Sequence, residues 1–309
     1  MGRYVIRRLL LMIPVLIGTT LVLYAAVYAL PGDPVQALAG PNQLVPDAVR
    51  HAIEAKFHLD QPFLSQYWNY LVGLAHGDFG IDLHSTPVWE IIKASWPVTL
   101  KLAVTTWVIE AVLGVALGVL AALRAGKVTD FVVLAGTTAS MGVPYFIVAF
   151  VVKLIFGIHL RWLPASGIEN GWPASYLMPA FCLALMGLPS ISRLTRVSIL
   201  ENLRADYVDT AVAKGLSRAR IVLRHVLRNS LIPVVSMLGL TFGGLMGGTV
   251  LIEGIFNLPG LGDQVYQGIR QHNGPVVVGI STLLVLVFLL VNLLVDLLYG
   301  VLDPRIRLE

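Results

Sequence analysis

Six stretches of this chain are apolar for long enough to matter to a membrane, near residues 9–30, 98–123, 131–157, 177–197, 231–252 and 276–300. Crossing the hydrocarbon core of a bilayer takes about 20 helical residues. Each stretch reaches that length or more, so the pattern predicts an all-α polytopic membrane protein with six transmembrane helices. Arg3, Arg7 and Arg8 precede the first run, as in a secretory signal. The run is too long for a signal peptide and has no convincing small-residue cleavage site, so it reads as a retained anchor.

Two polar intervals interrupt the runs. The first, residues 31–97, is the only sizeable part suited to water, and it reads as an extracytoplasmic helical insertion. Leu30-Pro31-Gly32-Asp33-Pro34 ends the first helix, since proline and glycine both break it. Three short helices are expected after it. Residues 47–57 place Val49, Ile53 and Phe57 on one stripe, and 62–75 place Leu64, Trp68, Leu71 and Leu74 together. Near 87–95, Thr86 is suited to cap, Pro87 to open the first turn, and Val88, Ile91 and Ile92 to face inward. A unit this small is expected to rest on the membrane helices. The chain then divides into 1–30 (N-terminus and first span), the insertion 31–97, and a five-span core over 98–309.

The second interval, 204–230, carries Arg204, Lys214, Arg218, Arg220, Arg224 and Arg228. A short helix from Arg204 to Ala213 should stop at Gly215, the residue best able to take a left-handed turn. Ser217 is suited to cap a second helix, with Pro233 opening the next membrane run.

Charge fixes the expected orientation. With the N-terminus inside, 15 of the 22 Lys and Arg fall on the cytoplasmic side, which predicts that both termini are cytoplasmic. The insertion is acidic, with seven carboxylates against three basic residues. A composition of 56% hydrophobic and 13% charged residues, with a mean hydropathy of +0.78, excludes an ordinary soluble domain. The single cysteine, Cys182, excludes an intrachain disulfide.

Candidate chemistry is sparse. Gly126-Lys127 is followed by Val128, so no phosphate-cradling loop of the G-x-x-x-x-G-K-[ST] kind exists, and any energy from ATP must come through a partner. Gly260-Leu261-Gly262-Asp263 spells the G-x-G-D of intramembrane aspartyl proteases. Its only possible membrane partner, Asp296, belongs near the opposite face, so no close carboxylate pair is expected. No catalytic residue is assigned. Histidines 51, 58, 76 and 84 show no i, i+4 pair and no recognised ligand spacing, so no metal site is assigned. Three charges lie inside apolar runs. Lys153 is near an external end and can snorkel, and Asp296 is near a cytoplasmic end, where basic residues can pair with it. Glu110 lies midway along its run and reads either as a path-lining or proton-linked group or as a carboxyl paired at a helix contact. In the fifth run Gly239, Gly243 and Gly247 recur every four residues, which gives a smooth helix face. That face serves either packing within the chain or an interface or pathway. The helix penalty of so many glycines favours the second.

Asp209-Thr210-Ala211-x-x-x-Gly215 resembles the EAA loop of ABC importer permeases, with Asp and Thr in place of the consensus Glu and Ala. Around it, PGDP at 31–34, LDQP at 59–62, HGDFG at 76–80, LPASG at 163–167, FNLPGLG at 256–262 and NLLVDLLYGVLDPR at 292–305 are similar, in order, to the first of the two permeases of dipeptide/oligopeptide importers. His272-Asn273-Gly274-Pro275 departs from that pattern. The resemblance implies that the second polar interval is a cytoplasmic coupling helix between the fourth and fifth spans. It implies contact with the ATPase through Asp206, Asp209, Thr210, Ala211, Lys214, Gly215, Leu216, Ser217 and Arg220. Glu253, Pro259, Gly260 and Gly262 are expected at the external mouth. The implied partners are a second homologous permease, two cytoplasmic ATP-binding subunits that hold ATP and Mg, an extracytoplasmic substrate-binding protein and membrane lipid, with no nucleic acid. The implied location is the bacterial cytoplasmic (inner) membrane. This chain would hold no cofactor and would be no enzyme. Its cargo would be peptides or, in the same class, nickel complexes, glutathione or haem. A gradient-driven transporter using Glu110 is the competing class, but no inverted repeat of interrupted helices supports it.

Overall fold

The structure is a computed structural model, and it describes residues 2–28, 46, 51, 61–83 and 85–302. The helix expected at 47–57, the PGDP segment, His58, His84 and the last residues of the C-terminal motif lie outside the described residues. The described chain is almost entirely helical, with one isolated bridge between Ile81 and Pro87. Helix α1 spans Gly2–Tyr28, α2 Phe63–Ala75, α3 Val88–Leu123, α4 Val128–Gly142 and α5 Tyr145–Val152, which continues as a wide π-helical turn over Lys153–His159. Helix α6 spans Ala174–Ala184, α7 Leu188–Asn202 and α8 Asp206–Ala213. After one turn at Arg218–Arg220 and a π-helical segment at Ile221–Val226 come α9 (Leu227–Phe256), α10 (Leu261–Arg270) and α11 (Gly274–Leu302).

Among the described residues, four helices are long and apolar enough to cross a membrane, and there are up to six spans if each of two bent pairs counts as one. The third and fourth apolar runs, expected to be unbroken, are these pairs. Helix α4 meets the 145–159 helix at 99°, and α6 meets α7 at 65°. Both breaks have a chemical cause. Pro144 lacks the N–H that would continue α4 past Gly142-Val143, and Pro189 sits in the first turn of α7 just after Gly187.

The short helix expected at 87–95 is instead the first turns of α3, which continues through Pro97. Thr86 does not cap it. Its own N–H donates to Asp82 Oδ1 at 2.6 Å.

The stripe expected on α2 is also turned. Leu64 and Trp68 are 72% and 65% exposed, while Tyr67 is buried with Phe63, Tyr70 and Leu71 against Tyr24 and Tyr28 of α1. The tyrosine hydroxyls explain the choice. Tyr67 Oη donates to the Ile17 carbonyl at 2.7 Å, and Tyr70 Oη donates to Thr282 Oγ1 at 2.7 Å. A buried tyrosine is favourable once its hydroxyl has a partner.

The core lies where α3 packs on α6, α7 and α9, with α10 and α11 closing the far side. Helix α1 packs on α11, and Arg8 pairs with Asp296 at 3.0 Å. That is the basic partner expected for Asp296.

Candidate functional site

The polar segment between α7 and α9 forms a compact helix-turn. Asp206 and Asp209 lie in the first turn of α8, where carboxylates oppose the positive end of the helix dipole. Helix α8 ends at Ala213, and the chain turns just beyond it at Gly215, whose φ is +73°. The Leu216 N–H donates to the Ala211 carbonyl at 3.2 Å and the Gly215 N–H to that of Val212 at 2.9 Å, a Schellman closure. Val208 and Ala211 are buried against Ala122, Ile199, Ile221 and Val226, and Leu216 packs beside them. Of the residues expected to meet another subunit, Asp206, Asp209, Thr210, Lys214, Gly215, Ser217 and Arg220 are exposed. Ala211 and Leu216 face inward and hold the helix to the bundle. Ser217 precedes the next turn but makes no side-chain cap.

Helix α8 is tied to its neighbours by polar contacts. Tyr207 Oη donates to Asn202 Oδ1 at 2.8 Å, which links α8 to α7. Farther up α7, Arg196 clasps Asp130 of α4 with two hydrogen bonds at 2.6 and 2.7 Å, and Asp130 also accepts the Gly126 N–H at 2.9 Å. Sequence reasoning counted Arg196 only as a charge on the cytoplasmic side and missed the pair. Asp130, a lone acid in a short basic loop, was the available signal.

At the other end of the molecule, Glu253, Gly260 and Gly262 are buried and only Pro259 is exposed. Together they make a joint rather than an open rim. Glu253 Oε2 accepts the Asp263 N–H at 3.0 Å, and the Thr99 hydroxyl accepts the Leu261 N–H at 2.7 Å. Both amides belong to the first turn of α10, so the carboxylate of one helix caps the start of another. The two glycines are forced by proximity. A Cβ on Gly262 would lie 2.5 Å from Val250 Cα, and one on Gly260 would strike the Glu253 carboxylate. Lys153 does not reach for water. Its ammonium donates to the Ile255 carbonyl at the C-terminal end of α9, where a cation is favoured.

Glu110 is 1% exposed and lies against Gly187 at the break between α6 and α7. Four and eight residues on, Gly114 and Gly118 lie on the same face of α3 and press against α7. A Cβ there would come within 2.6 Å of Ile191 Cγ2 and 2.5 Å of the Ser192 carbonyl oxygen respectively. The expected stripe in α9 is looser. Gly239 faces Val295 and Gly243 faces Phe288 of α11 within the chain, while Gly244 and Gly247 have nothing within 4 Å. Among the described residues, no group of three His, Cys, Asp or Glu could hold a metal ion.

Bent spans around one long central helix, with a solvent-facing helix-turn carried on the last of the bends, define a helical membrane component. Residues 114–308 match the family described as "Binding-protein-dependent transport system inner membrane component", and residues 1–103 match its N-terminal companion. The chain belongs to this family. It is 37% identical to the dipeptide transport system permease protein DppB of Escherichia coli K12, with 99% of each chain covered. It is likewise 37% identical, again over 99% of each chain, to the glutathione transport system permease protein GsiC of the same strain. Among solved structures, a chain of the MetNI methionine ABC transporter in inward-facing form matches 70% of this chain and 97% of its own length. Its TM-score is 0.58 at 20% identity, which supports the fold alone.

Proposed function

We propose that this chain is one of two permeases of an ATP-driven importer that carries peptides across the bacterial cytoplasmic membrane. Each bent pair counts as one span, which gives six, with both termini in the cytoplasm and the 31–97 insertion outside. Helix α8 and the Gly215 turn are the coupling element. They dock on one of two ATP-binding subunits, which bind ATP and Mg and do the hydrolysis. A substrate-binding protein delivers cargo to the acidic external face. Closing of the ATPases pushes α8, and the bundle alternates between inward- and outward-open states with no covalent chemistry in this chain.

The observation that carries this reading is the exposed Asp209–Thr210 and Lys214–Gly215 surface on a helix whose other face is locked into the bundle by Val208 and Ala211. A helix gripped on one face and free on the other transmits a push. Peptide cargo follows from the named substrates of the relatives, a dipeptide and a tripeptide thiol. Nickel complexes or haem remain the alternative within the class.

The test is uptake in vesicles holding the whole complex and its binding protein. Uptake should need ATP and ignore a proton gradient. Transport that continues without ATP and follows the gradient overturns the proposal. The ligand that co-purifies with the binding protein identifies the cargo.

A further inference from the structure

We propose that the elbow between α4 and α5, together with Arg193 of α7, is a binding site for short peptides on the wall of the translocation path. The inference rests on the importer reading above and names the residues of this chain that meet the cargo. The third span breaks at 99° near the middle of its apolar run. Helix α4 ends at Gly142, Val143 is extended, and α5 begins at Tyr145 after Pro144. The last carbonyls of α4 therefore lose their helical partners. Pro144 has no N–H to give the Ser140 carbonyl, and among the described residues no hydrogen bond reaches the carbonyl of Ser140, Met141 or Gly142. Nor does the chain seal them in. Met141, Gly142, Val143 and Pro144 are all exposed, and a Cβ on Gly142 would have nothing within 4 Å. Helix α4 has 15 residues, so its end lies about 22 Å from its start, within the hydrocarbon. Irregular backbone at that depth is tolerated only where protein buries it or water reaches it.

Arg193 is the independent observation. It is exposed on α7, about 13 Å along the helix from Asn202. Among the described residues it makes no ion pair and one polar contact, to Thr138 Oγ1 of α4 at 3.5 Å, which is too long for a strong bond. Arg196, one turn on, is by contrast committed to Asp130. An unpaired guanidinium beside a span is costly against lipid and calls for water or an anion. The two features share a face of α4. Thr138 and Gly142 stand in i, i+4 relation, so one lies above the other, about 6 Å apart along the axis. A cation therefore lies one turn below a set of bare carbonyl oxygens. An extended chain advances about 3.3–3.6 Å per residue, so two residues span roughly 7 Å. A zwitterionic dipeptide or tripeptide has the complementary ends. Its carboxylate accepts from Arg193, and its ammonium and amide N–H groups donate to the carbonyls of Ser140, Met141 and Gly142. None of these contacts reads a cargo side chain, and the open space at Gly136 and Gly142 leaves room for one. The site selects the backbone and ends of a peptide, not its sequence.

The experiment uses the complete complex with its binding protein in vesicles. Gly142→Cys and, separately, Thr138→Cys are treated with a membrane-impermeant methanethiosulfonate on both sides, with and without the dipeptide Ala-Ala. Wild type sets the background, since its single cysteine, Cys182, is fully buried. Both variants should label, because the face is wet. Ala-Ala should slow labelling as it fills the site, about tenfold at ten times its Kd. Blocking the dipeptide's carboxylate as an amide should remove the protection. So should Arg193→Gln, whereas Arg193→Lys should keep most of it. In the same vesicles Arg193→Gln should lower ATP-driven Ala-Ala uptake about tenfold while hydrolysis continues, the loss of one charge-assisted contact. The amide arm leaves Arg193 in place, so it decides the matter if the glutamine variant does not accumulate.

Absence of labelling at both positions overturns the proposal, since the elbow then faces lipid or lies covered by the partner permease. Protection that ignores the dipeptide's carboxylate or Arg193 overturns it too, because the peptide then blocks the path without being held by its end. Should wild type show no ATP-driven uptake while Arg193-dependent protection remains, the importer reading fails and the site stands. Should uptake proceed with no protection, the importer reading stands and the site fails.

Discussion

Adding a single methyl group at Gly118 tests whether α3 and α7 meet as closely as the structure places them. In Gly118→Ala the new Cβ would lie 2.5 Å from the Ser192 carbonyl oxygen and 2.5 Å from Thr195 Cβ. Ordinary carbon contacts begin near about 3.5 Å, so roughly 1 Å of overlap must be relieved. Neither blocking atom can rotate away, since one is backbone and the other is the root of a side chain. The two helices must separate, and the neighbours at Gly114, Ile191 and Thr195 lose contact with them. Overpacking of this kind costs about 1–3 kcal/mol, and immovable obstacles put Gly118 near the upper end. Alanine returns about 1 kcal/mol through its better helix propensity. The net loss is about 2 kcal/mol, a factor of about 30 in the folded-to-unfolded ratio. Thermal unfolding of the purified subunit in detergent should show a midpoint several degrees lower. Gly247→Ala is the matched control. It has nothing within 4 Å, so it collects the propensity gain with no clash and should leave the midpoint level or slightly raised. If Gly118→Ala is as stable as its control, the close approach of α3 and α7 is wrong.

Gly215→Val places a β-branched residue at a φ of +73°, a strain of about 1–2 kcal/mol confined to an exposed turn. The subunit should still insert, and ATP hydrolysis should persist without uptake. Normal uptake would remove the turn from coupling. Arg196→Ala leaves the buried Asp130 carboxylate without its clasp and should cost up to about 3 kcal/mol of subunit stability. Arg196→Met combined with Asp130→Leu should recover most of it. A double variant as unstable as the single one would show that the pair does more than hold α4 to α7. Docking of the binding protein on an insertion with seven carboxylates and three basic residues should weaken as salt rises from about 0.05 to 0.5 M. Stimulation that ignores salt would place the docking surface elsewhere.

The apolar runs were legible because a bilayer demands about 20 apolar residues whatever the fold. The bends were not. Apolar residues continue straight through Gly142-Val143-Pro144 and through 185–187, and glycine and proline are tolerated in spanning helices, so hydropathy counts the same run whether or not it breaks. The Gly215 turn was legible for the opposite reason. A left-handed φ after an amphipathic helix asks for glycine, and Gly215 supplies it. On α2 half of the expected stripe, Leu71 and Leu74, packs inward, but Leu64 and Trp68 are exposed and Tyr67 is buried in their place. Periodicity does not show that Ile17 and Thr282 wait to satisfy the tyrosine hydroxyls. In α9 the glycines stood out by number, five between residues 239 and 248, while the pair at 114 and 118, at the same spacing, marks the tighter contact within the chain.

The charges inside the apolar runs gain a common explanation once the breaks are known. A span that stops and restarts within hydrocarbon leaves amides at one new end and carbonyls at the other, and lipid satisfies neither. Acids are then needed near helix starts and cations near helix stops. Glu110 lies at the start of α7, Glu253 at the start of α10 and Lys153 at the stop of α9, while Asp296 pairs with Arg8. Glu253, Lys153 and Asp296 therefore each have a polar partner within the chain. The gradient-driven alternative singled out Glu110 because a buried carboxylate midway along a span looks like a proton carrier. In the fold that carboxylate is buried against Gly187 at the break between α6 and α7. In the importer proposed above, the drive enters instead at α8, whose Asp209–Thr210 and Lys214–Gly215 face is exposed.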